Sequence, residues 1–516
     1  MDQTKTQYEK RWAALTILCI SLLIIAIDTT VLNMSIPSIS GSLGASTAQL
    51  MWIMDSYTVV FASLMLTTGT LGDRFGRKKI LTIGLIVFGL GSLGAAQSNT
   101  TSMLIFFRVF QGIGGSMMMP CTLSLIVNIF PDHAERSRAL AIWGGTFGIG
   151  AGVGPLIGGV LLNFFEWPAV FYLNIPVVLI GLIGGYLVIP ESRNPKPPKL
   201  DIPGLLLSSM GIFALVYGII KAGEIGWGAI EVLGAIIAGM ILIGIFLYWE
   251  KKTPAPMLPL HFFKNQSFSA GSITMFMNAF AIFGAAYFFS QYFQSVLGYS
   301  PLLASLAMTP QLVIQYLATI NSVNVVKRYG TKRTIAFGLM ASGIGYFMFT
   351  SISQVDSSYL SLIGPLLLLG IGMGHTMTPA MTSTLGSLPP SRAGIGSGIA
   401  DTFMNIGGAL GFAVSGSIMN GFYRLAVNKG IKTFEFPPAV HEMFLSSVQN
   451  ALIAAEQVSA EWMHEVSLIA KNAFVYGMDH AMWFIGAFLI GASLVVFKIV
   501  PASIQYASDA EEKKDH

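Results

Sequence analysis

Long apolar runs separated by short polar loops repeat along the whole chain of 516 residues. Most runs contain about 20 residues, the length at which an α-helix crosses the hydrocarbon core of a bilayer. The windows are 13–34, 51–71, 80–97, 102–126, 139–161, 169–189, 204–221, 229–249, 268–292, 302–325, 334–353, 359–384, 394–418 and 474–500. This pattern predicts an all-α integral membrane protein with fourteen transmembrane helices.

Composition agrees with this class, because 53% of the residues are hydrophobic, only 10% are charged and the mean hydropathy is +0.67. A soluble domain of this length does not carry so large an apolar share. The two cysteines, Cys19 and Cys121, lie inside apolar runs. We therefore expect them to be small packing residues, with neither a disulfide nor a metal site.

Basic residues predict the orientation of the helices. Of the 29 lysines and arginines, 22 lie on the side of the N-terminus if there are fourteen spans, in clusters at 5–11, 74–79, 136–138, 193–199, 251–264, 327–333, 392 and 513–514. Loops rich in Lys and Arg remain cytoplasmic. The sequence therefore predicts a multi-pass membrane protein with both termini in the cytoplasm.

The chain contains a weak internal repeat. "DRFGRKK" at 73–79 is echoed by "KRYGTKR" at 327–333, and "SRA" at 137–139 by "SRA" at 391–393, each at an offset of 254 residues. Duplicated halves suit alternating access, in which two bundles rock around a central site.

The repeat predicts three segments and one long outside region. A first six-helix bundle covers 1–190, two inserted helices with cytoplasmic linkers cover 191–267, and a second six-helix bundle covers 268–516. Within the second bundle, residues 419–472 show helical apolar spacing. We expect this region to form an extracellular helical hairpin.

The loop after the second predicted span combines an acid, glycine and basic residues in "DRFGRKK". Asp73, Arg74, Gly76 and Arg77 lie where a cytoplasmic mouth must open and close. A charge pair at this place would stabilise one conformational state, so these four residues are candidate gating residues. The alternative is that the basic residues only fix the topology, although Asp73 does not serve that rule.

The fifth predicted span carries a stripe of small residues interrupted by proline. Gly150, Gly154 and Gly158 recur at every fourth position, accompanied by Pro155 and Gly159. Small residues on one face allow close helix contact, and proline kinks or softens a helix. From spacing alone, a functional interface and an ordinary packing stripe are equally good interpretations.

Asp28, Asp55 and Asp401 are acidic residues inside predicted spans, and Arg108 is a basic one. A charge at the helix centre costs about 2.5–3.5 kcal/mol or more, so such residues are functional candidates. Arg108 can neutralise one acid, and the others must then be protonated or face a cation. We therefore expect a proton and a positive guest to compete for these carboxylates, with Asp28 facing the guest. The alternative for Arg108 is that it pairs with one carboxylate only to hold the bundle together.

Two polar residues accompany the acid of the second half. Asn405 lies one turn from Asp401, where it is predicted to help position the acid, and His375 is expected at a similar depth. Histidine can titrate near neutral pH, but an isolated one within a membrane is more often a neutral hydrogen-bond donor. Both interpretations of His375 stay open at this point.

Several motifs resemble those of the major facilitator superfamily, and in particular its fourteen-helix drug/proton antiporter branch with the QacA-type quaternary-ammonium exporters. They are "DTTVLNMSIP" (28–37), "GTLGDRFGRKK" (69–79), "RVFQGIGGS" (108–116), "GAGVGPLIGG" (150–159), "WPAVFYLNIP" (167–176) and "IGGALGFAV" (406–414). The motif at 150–159 is similar to the antiporter signature of that family, and the resemblance implies that it limits leak. It also implies a role of Arg108 in proton coupling.

The resemblance implies a proton-coupled multidrug efflux antiporter that exports lipophilic, cationic compounds and works as a monomer. Its partners would be those compounds, protons and membrane lipids, without nucleic acid, metal or any cofactor beyond the proton gradient. The chain has Gln315 and Ala400 where some relatives carry acids, which favours monovalent or neutral substrates over divalent cations.

Two other functions stay open from the sequence. One is the dedicated export of a single antibiotic, lipid or metabolite, and the other is a membrane sensor without transport. An enzyme is not expected, because the chain contains no HExxH, CxxC, GxSxG or phosphate-loop motif.

Overall fold

The computed structural model describes residues 10–193, 201–254, 256–387, 393–458 and 460–499. The α-helices are α1 (Arg11–Leu43), α2 (Thr47–Phe75), α3 (Arg77–Ala96), α4 (Thr101–Ile129), α5 (His133–Phe164), α6 (Asn174–Val188, after a single turn at Ala169–Tyr172), α7 (Ile202–Ile225), α8 (Ile230–Lys252), α9 (Gln266–Gln291, continued by a π-turn at Tyr292–Val296), α10 (Pro301–Tyr329), α11 (Thr331–Thr350), α12 (Tyr359–Gly386), α13 (Ala393–Gly430), α14 (Pro438–Ser446), α15 (Val448–Glu456) and α16 (Ala460–Ile499). These ranges contain no β-strand.

Each of the fourteen predicted windows falls on a helix, and the all-α membrane class is confirmed. Within the described part of the chain, 11 helices are long and apolar enough to cross a membrane, or up to 12 if the bent α2 is one span. The two halves of α2, Thr47–Met65 and Thr67–Phe75, meet at 52°. The windows in α5 and α11 are helical without being among these candidates, so the count of fourteen spans stays a prediction.

Some sequence predictions lie outside the described residues. These are the basic residues Lys5, Lys196, Lys199, Arg392, Lys513 and Lys514, both chain termini, and the first two residues of the second "SRA".

The chain divides into two compact units. The first comprises Met1–Ser35, Trp52–Ile212 and Leu242–Leu258, and the second comprises Ile36–Met51, Phe213–Ile241 and Pro259–His516. The residues of α7 and α8 are thus divided between both units. The division expected at 190 and 267 stays a prediction.

In the first unit, glycines bring α3 and α4 into close contact. A Cβ atom on Gly114 would lie 2.5 Å from the backbone nitrogen of Phe88, and one on Gly91 would lie 2.9 Å from that of Gln111. Both helices pack backbone to backbone at these positions, as small residues allow in membrane bundles. This contact fixes the faces of α3 and α4 that carry the polar side chains described below.

The region predicted as a hairpin is helical, but its elements differ from the expectation. Helix α13 continues to Gly430, and α16 already begins at Ala460, because no proline or glycine interrupts 460–476. The two short helices α14 and α15 lie between them. They are separated at Ser447, whose backbone is extended. Its side-chain hydroxyl caps the start of α15 by accepting a hydrogen bond from the backbone nitrogen of Asn450. The expected second arm is therefore the start of the last long helix.

Candidate functional site

A buried ion pair joins α1 and α4 in the first unit. Arg108 Nη1 lies 2.6 Å from Asp28 Oδ2, and the two side chains are 1% and 2% exposed. A charge-assisted hydrogen bond of this length is stronger than one between neutral groups. Arg108 therefore pairs with one of the predicted acids, Asp28, and its role in proton coupling stays a prediction.

The second oxygen of Asp28 is occupied by two side-chain amides. Asp28 Oδ1 accepts from Asn174 Nδ2 at 2.7 Å and from Gln111 Nε2 at 3.1 Å. The same two amides also donate to Ser92 Oγ, at 3.1 Å and 2.8 Å. The Ser92 hydroxyl in turn donates to the carbonyl oxygen of Phe88. Four helices, α1, α3, α4 and α6, therefore meet at one carboxylate.

Arg108 is also held by groups other than Asp28. Its Nη1 donates to Gln111 Oε1 at 2.9 Å, and its Nε donates to the carbonyl oxygen of Ile53 at 3.1 Å. The guanidinium carbon lies 4.4 Å from the centre of the Tyr57 ring, a cation–π contact. The guanidinium is thus fixed by α1, α2 and α4 together.

This network differs from the expectation that Asp28 faces a guest cation. In the described state its carboxylate is neutralised by Arg108 and receives three donors, so a guest would have to displace the guanidinium. Sequence reasoning also missed Ser92, Gln111 and Asn174 as members of the site. Gln111 and Asn174 lie inside motifs that carry the family resemblance, which was the available signal.

Asp55 on α2 is the acid without such a partner. Its residue is 1% exposed, and its Oδ2 atom has no hydrogen-bond donor in the part of the chain that the structure describes. An ionised carboxylate left in this way is costly, so Asp55 is stable only with a proton or with a cation beside it. Of the two acids Asp28 and Asp55, Asp55 is therefore the one with an unsatisfied carboxylate oxygen among the described residues.

The predicted residues of the second unit are all buried or partly buried. Asp401 is 7% exposed and His375 is 6% exposed. Asn405 Nδ2 donates to the backbone carbonyl of Asp401 at 2.8 Å, so it contacts that residue through the main chain. His375 Nδ1 lies 2.9 Å from the carbonyl oxygen of Ile371, and its ring packs edge-on against Phe337. The roles of these three residues stay predictions.

The candidate gating residues occupy the junction of α2 and α3. Arg77 Nη2 lies 2.8 Å from Asp73 Oδ1, one helical turn apart across the junction. Gly76 separates the helices with φ at 112°, a region that side chains rarely allow. Arg74 lies over the ring of Phe75 and takes no part in this pair. The structure thus brings Asp73, Gly76 and Arg77 together and places Arg74 beside them.

A further acid, Glu191, caps the start of α3. Its two carboxylate oxygens accept from the backbone nitrogens of Lys78 at 3.0 Å and Lys79 at 3.1 Å. A Cβ atom on Gly76 would lie 2.8 Å from the Glu191 carboxyl carbon, so a side chain there would displace the capping carboxylate. Local sequence patterns do not reveal this cap, because Glu191 lies 113 residues along the chain from Lys78.

The glycine stripe of α5 packs against α1 on both sides of Asp28. A Cβ atom would lie 2.8 Å from Ala26 Cβ if added to Gly150, 3.0 Å from Thr30 Cβ if added to Gly154, and 3.2 Å from Val31 Cγ1 if added to Gly158. The neighbouring Pro155 and Gly159 are buried as well. The stripe is therefore a close contact with the helix that carries the central carboxylate.

No group of three or more His, Cys, Asp or Glu side chains that could hold a metal ion occurs within the described ranges.

Comparison with known proteins gives consistent results. The family model of the Major Facilitator Superfamily matches residues 18–412. The "Multidrug efflux pump LfrA" of Mycolicibacterium smegmatis is 33% identical over 419 residues, which are 81% of this chain and 83% of that pump. The "Methyl viologen resistance protein SmvA" of Salmonella typhimurium is 30% identical over 489 residues, which are 92% of this chain and 98% of that protein.

A solved structure has the same fold. The crystal structure of a bacterial homologue of the human lysosomal transporter Spinster, inward-facing and unoccupied, matches with a TM-score of 0.65. The match covers 97% of this chain and 99% of that chain at 18% identity, which supports the fold alone.

Proposed function

Because the chain belongs to the Major Facilitator Superfamily, we propose that it is a proton-coupled efflux antiporter that exports lipophilic, cationic small molecules by alternating access. The names of its relatives support this proposal. LfrA is named as a multidrug efflux pump, and SmvA is named for resistance to methyl viologen, which is an organic cation.

The proposal includes the arrangement in the membrane. The chain crosses the bacterial cytoplasmic membrane fourteen times with both termini in the cytoplasm, in the orientation that its Lys and Arg clusters favour. It works as a monomer in contact with membrane lipids. It needs no cofactor, because the proton gradient supplies the free energy.

The observation that carries the proposal is the unequal state of two buried acids in the first unit. Asp28 is neutralised by Arg108, whereas Asp55 Oδ2 has no donor among the described residues. A proton and an organic cation can each satisfy the Asp55 carboxylate, but they cannot do so together. Competition between them is the simplest form of exchange, since binding of one favours release of the other.

The Asp28–Arg108 pair has a different role in this mechanism. While the pair is closed, Arg108 repels a second cation from the Asp28 carboxylate. Protonation of Asp28 would remove its charge and release the guanidinium, which changes the contacts among α1, α2 and α4. Asp28 thus acts through a change of the network rather than as an open cation site.

The remaining candidates support this cycle. Asp401, with Asn405 and His375, supplies a second proton-binding position in the second unit. Asp73 and Arg77 stabilise one state of the cytoplasmic mouth. The Gly154 stripe keeps α5 close to α1, which limits leak past the central carboxylate.

The test is efflux of a quaternary-ammonium dye by purified protein in liposomes with an imposed pH gradient. We expect Asp55→Asn to abolish pH-driven efflux, because the amide keeps the size of the side chain but exchanges no proton. Asp356→Asn makes the same change at an exposed position and should leave efflux unchanged. Normal efflux by the folded Asp55→Asn protein would contradict the proposed exchange.

A further inference from the structure

Two acidic side chains of the first unit are buried together where α7 begins and α8 ends, which is called the base of this helix pair below. Asp201 directly precedes α7 and is 8% exposed, and Glu250 lies in the last turn of α8 and is 3% exposed. Neither residue belongs to the network around Asp28. Buried carboxylates are normally paired or fully hydrogen-bonded.

One oxygen of each carboxyl group has partners. Asp201 Oδ1 accepts from Gly204 N at 3.0 Å and from Trp249 Nε1 at 2.8 Å. Glu250 Oε2 accepts from Leu258 N at 2.9 Å. Asp201 thus caps the start of α7, and Glu250 fixes the linker that follows α8.

The other oxygen of each group has no donor in the described ranges. These atoms, Asp201 Oδ2 and Glu250 Oε1, lie at the same place. A Cβ atom on Gly204 would lie 2.9 Å from Glu250 Oε1 and closer still to Asp201 Oδ2. Both oxygens thus lie within 2.9 Å of a single point beside Gly204. Two acceptors therefore face each other with no donor between them.

Among the described residues, no positive charge forms an ion pair with either carboxyl group. Lys252 Nζ lies over the ring of Tyr248 at 4.5 Å, and Lys251 is exposed. The charged group that faces Glu250 is the carboxyl group of Asp201.

We infer that Asp201 and Glu250 bind one proton between Asp201 Oδ2 and Glu250 Oε1, and that this carboxyl pair fastens the base of α7 and α8. Two ionised carboxylates in contact and out of water repel each other strongly, whereas one shared proton supplies the missing donor. A helix cap alone would need Asp201 but not a second buried acid beside it. This site goes beyond the proposed function and does not depend on it.

The shared proton makes the base of the helix pair sensitive to pH. At neutral pH the folded protein holds a proton that two exposed carboxyl groups of an unfolded chain would release. Stability from this site is therefore fully present at acidic pH, below the pKa of exposed carboxyl groups, and is lost progressively as the pH rises from there through neutrality. The linker that Glu250 holds also contains Met257, whose sulfur accepts from Thr67 Oγ1 of α2 at 3.7 Å.

Infrared spectroscopy of the full chain in lipid nanodiscs tests the inference. The C=O stretch of a protonated carboxyl group should appear at neutral pH in the difference between the parent protein and Glu250→Gln, and it should disappear at high pH. In Asp201→Asn the amide donates to Glu250 in place of the proton. The same band should therefore be lost, although Glu250 is still present. Protonated groups elsewhere cancel in these differences, and Asp356→Asn serves as the matched carboxyl control.

Thermal unfolding provides the second measurement. One extra bound proton makes the folding equilibrium constant fall by up to tenfold per pH unit in the parent. Both amide variants should fold and should lose this part of the pH dependence. A band that persists in Asp201→Asn would overturn the inference, because the proton would then belong to Glu250 alone. Failure of both variants to fold, or a parent-like pH dependence in both, would overturn it as well.

Discussion

Replacing Asp28 by asparagine removes one half of the buried ion pair. The amide can still accept from Gln111 or Asn174, but it leaves the Arg108 guanidinium without a counter-charge. Breaking a buried pair by removing one partner costs about 3–5 kcal/mol. We expect a loss near the lower end of this range, because Arg108 keeps the Ile53 carbonyl and the Tyr57 ring.

A double-mutant cycle separates the pair from other effects of the substitution. Arg108→Gln alone leaves the Asp28 charge buried with two amide donors. The double variant Asp28→Asn with Arg108→Gln contains no buried charge at this place. We therefore expect it to lose about 2–3 kcal/mol less than the sum of the single variants.

The assay is reversible denaturant unfolding of the four proteins in detergent micelles, followed by dye efflux in liposomes. Efflux should fail in the double variant, although its loss of unfolding free energy is smaller than the sum of the two single losses. The reason is that the proposed mechanism requires Asp28 to exchange its proton. The exposed Asp356→Asn should change stability by no more than about 0.5 kcal/mol. Single-variant losses that add within about 0.5 kcal/mol would refute the coupling between Asp28 and Arg108.

Three further predictions concern the glycine stripe, the gate and the topology. Gly154→Ala should lower the free energy of unfolding by about 1–3 kcal/mol through overpacking. Gly152→Ala is the control and should be nearly neutral, because its added Cβ atom meets open space. Equal losses in the two variants would contradict the close contact of α5 with α1. Asp73→Asn breaks the ion pair with the arginine one turn later, so dye efflux should slow while dye affinity in equilibrium binding stays nearly unchanged. A parallel loss of affinity would speak against gating. A cysteine at the exposed Lys432 should react with an impermeant maleimide in intact cells. A cysteine at the exposed Arg193 should react only after permeabilisation. The two native cysteines are buried, so they should not contribute to the labelling. The reverse pattern would invert the proposed orientation.

Much of the fold was predictable because hydrophobic length is a strong local signal. Every predicted window lies on a helix, since a bilayer-spanning run of apolar residues has no other way to satisfy its backbone. The start of α16 was missed because Glu461, Glu465 and Lys471 look like loop residues. The helix continues through 460–476 because this stretch contains no proline or glycine, a feature that hydropathy does not report.

The membership of the site was only partly predictable. A charge inside an apolar run identifies Asp28, Asp55 and Arg108 as candidates without alignment or structure. Which acid Arg108 selects depends on the rotation of each helix about its axis, and spacing along the chain does not contain that information. Neutral residues such as Gln111 cost less to bury than charges, so they gave no comparable signal.

The cap that Glu191 places on α3 acts on the backbone of the helix start rather than on side chains. The carboxylate binds the backbone nitrogens of Lys78 and Lys79 and therefore does not depend on what their side chains are. The side chain of Lys78 instead donates to the carbonyl oxygen of Tyr186 at 3.2 Å. The helix start stays anchored as long as one acid remains at the end of the sixth helix. Substitution of either lysine side chain therefore leaves the cap on the helix start in place.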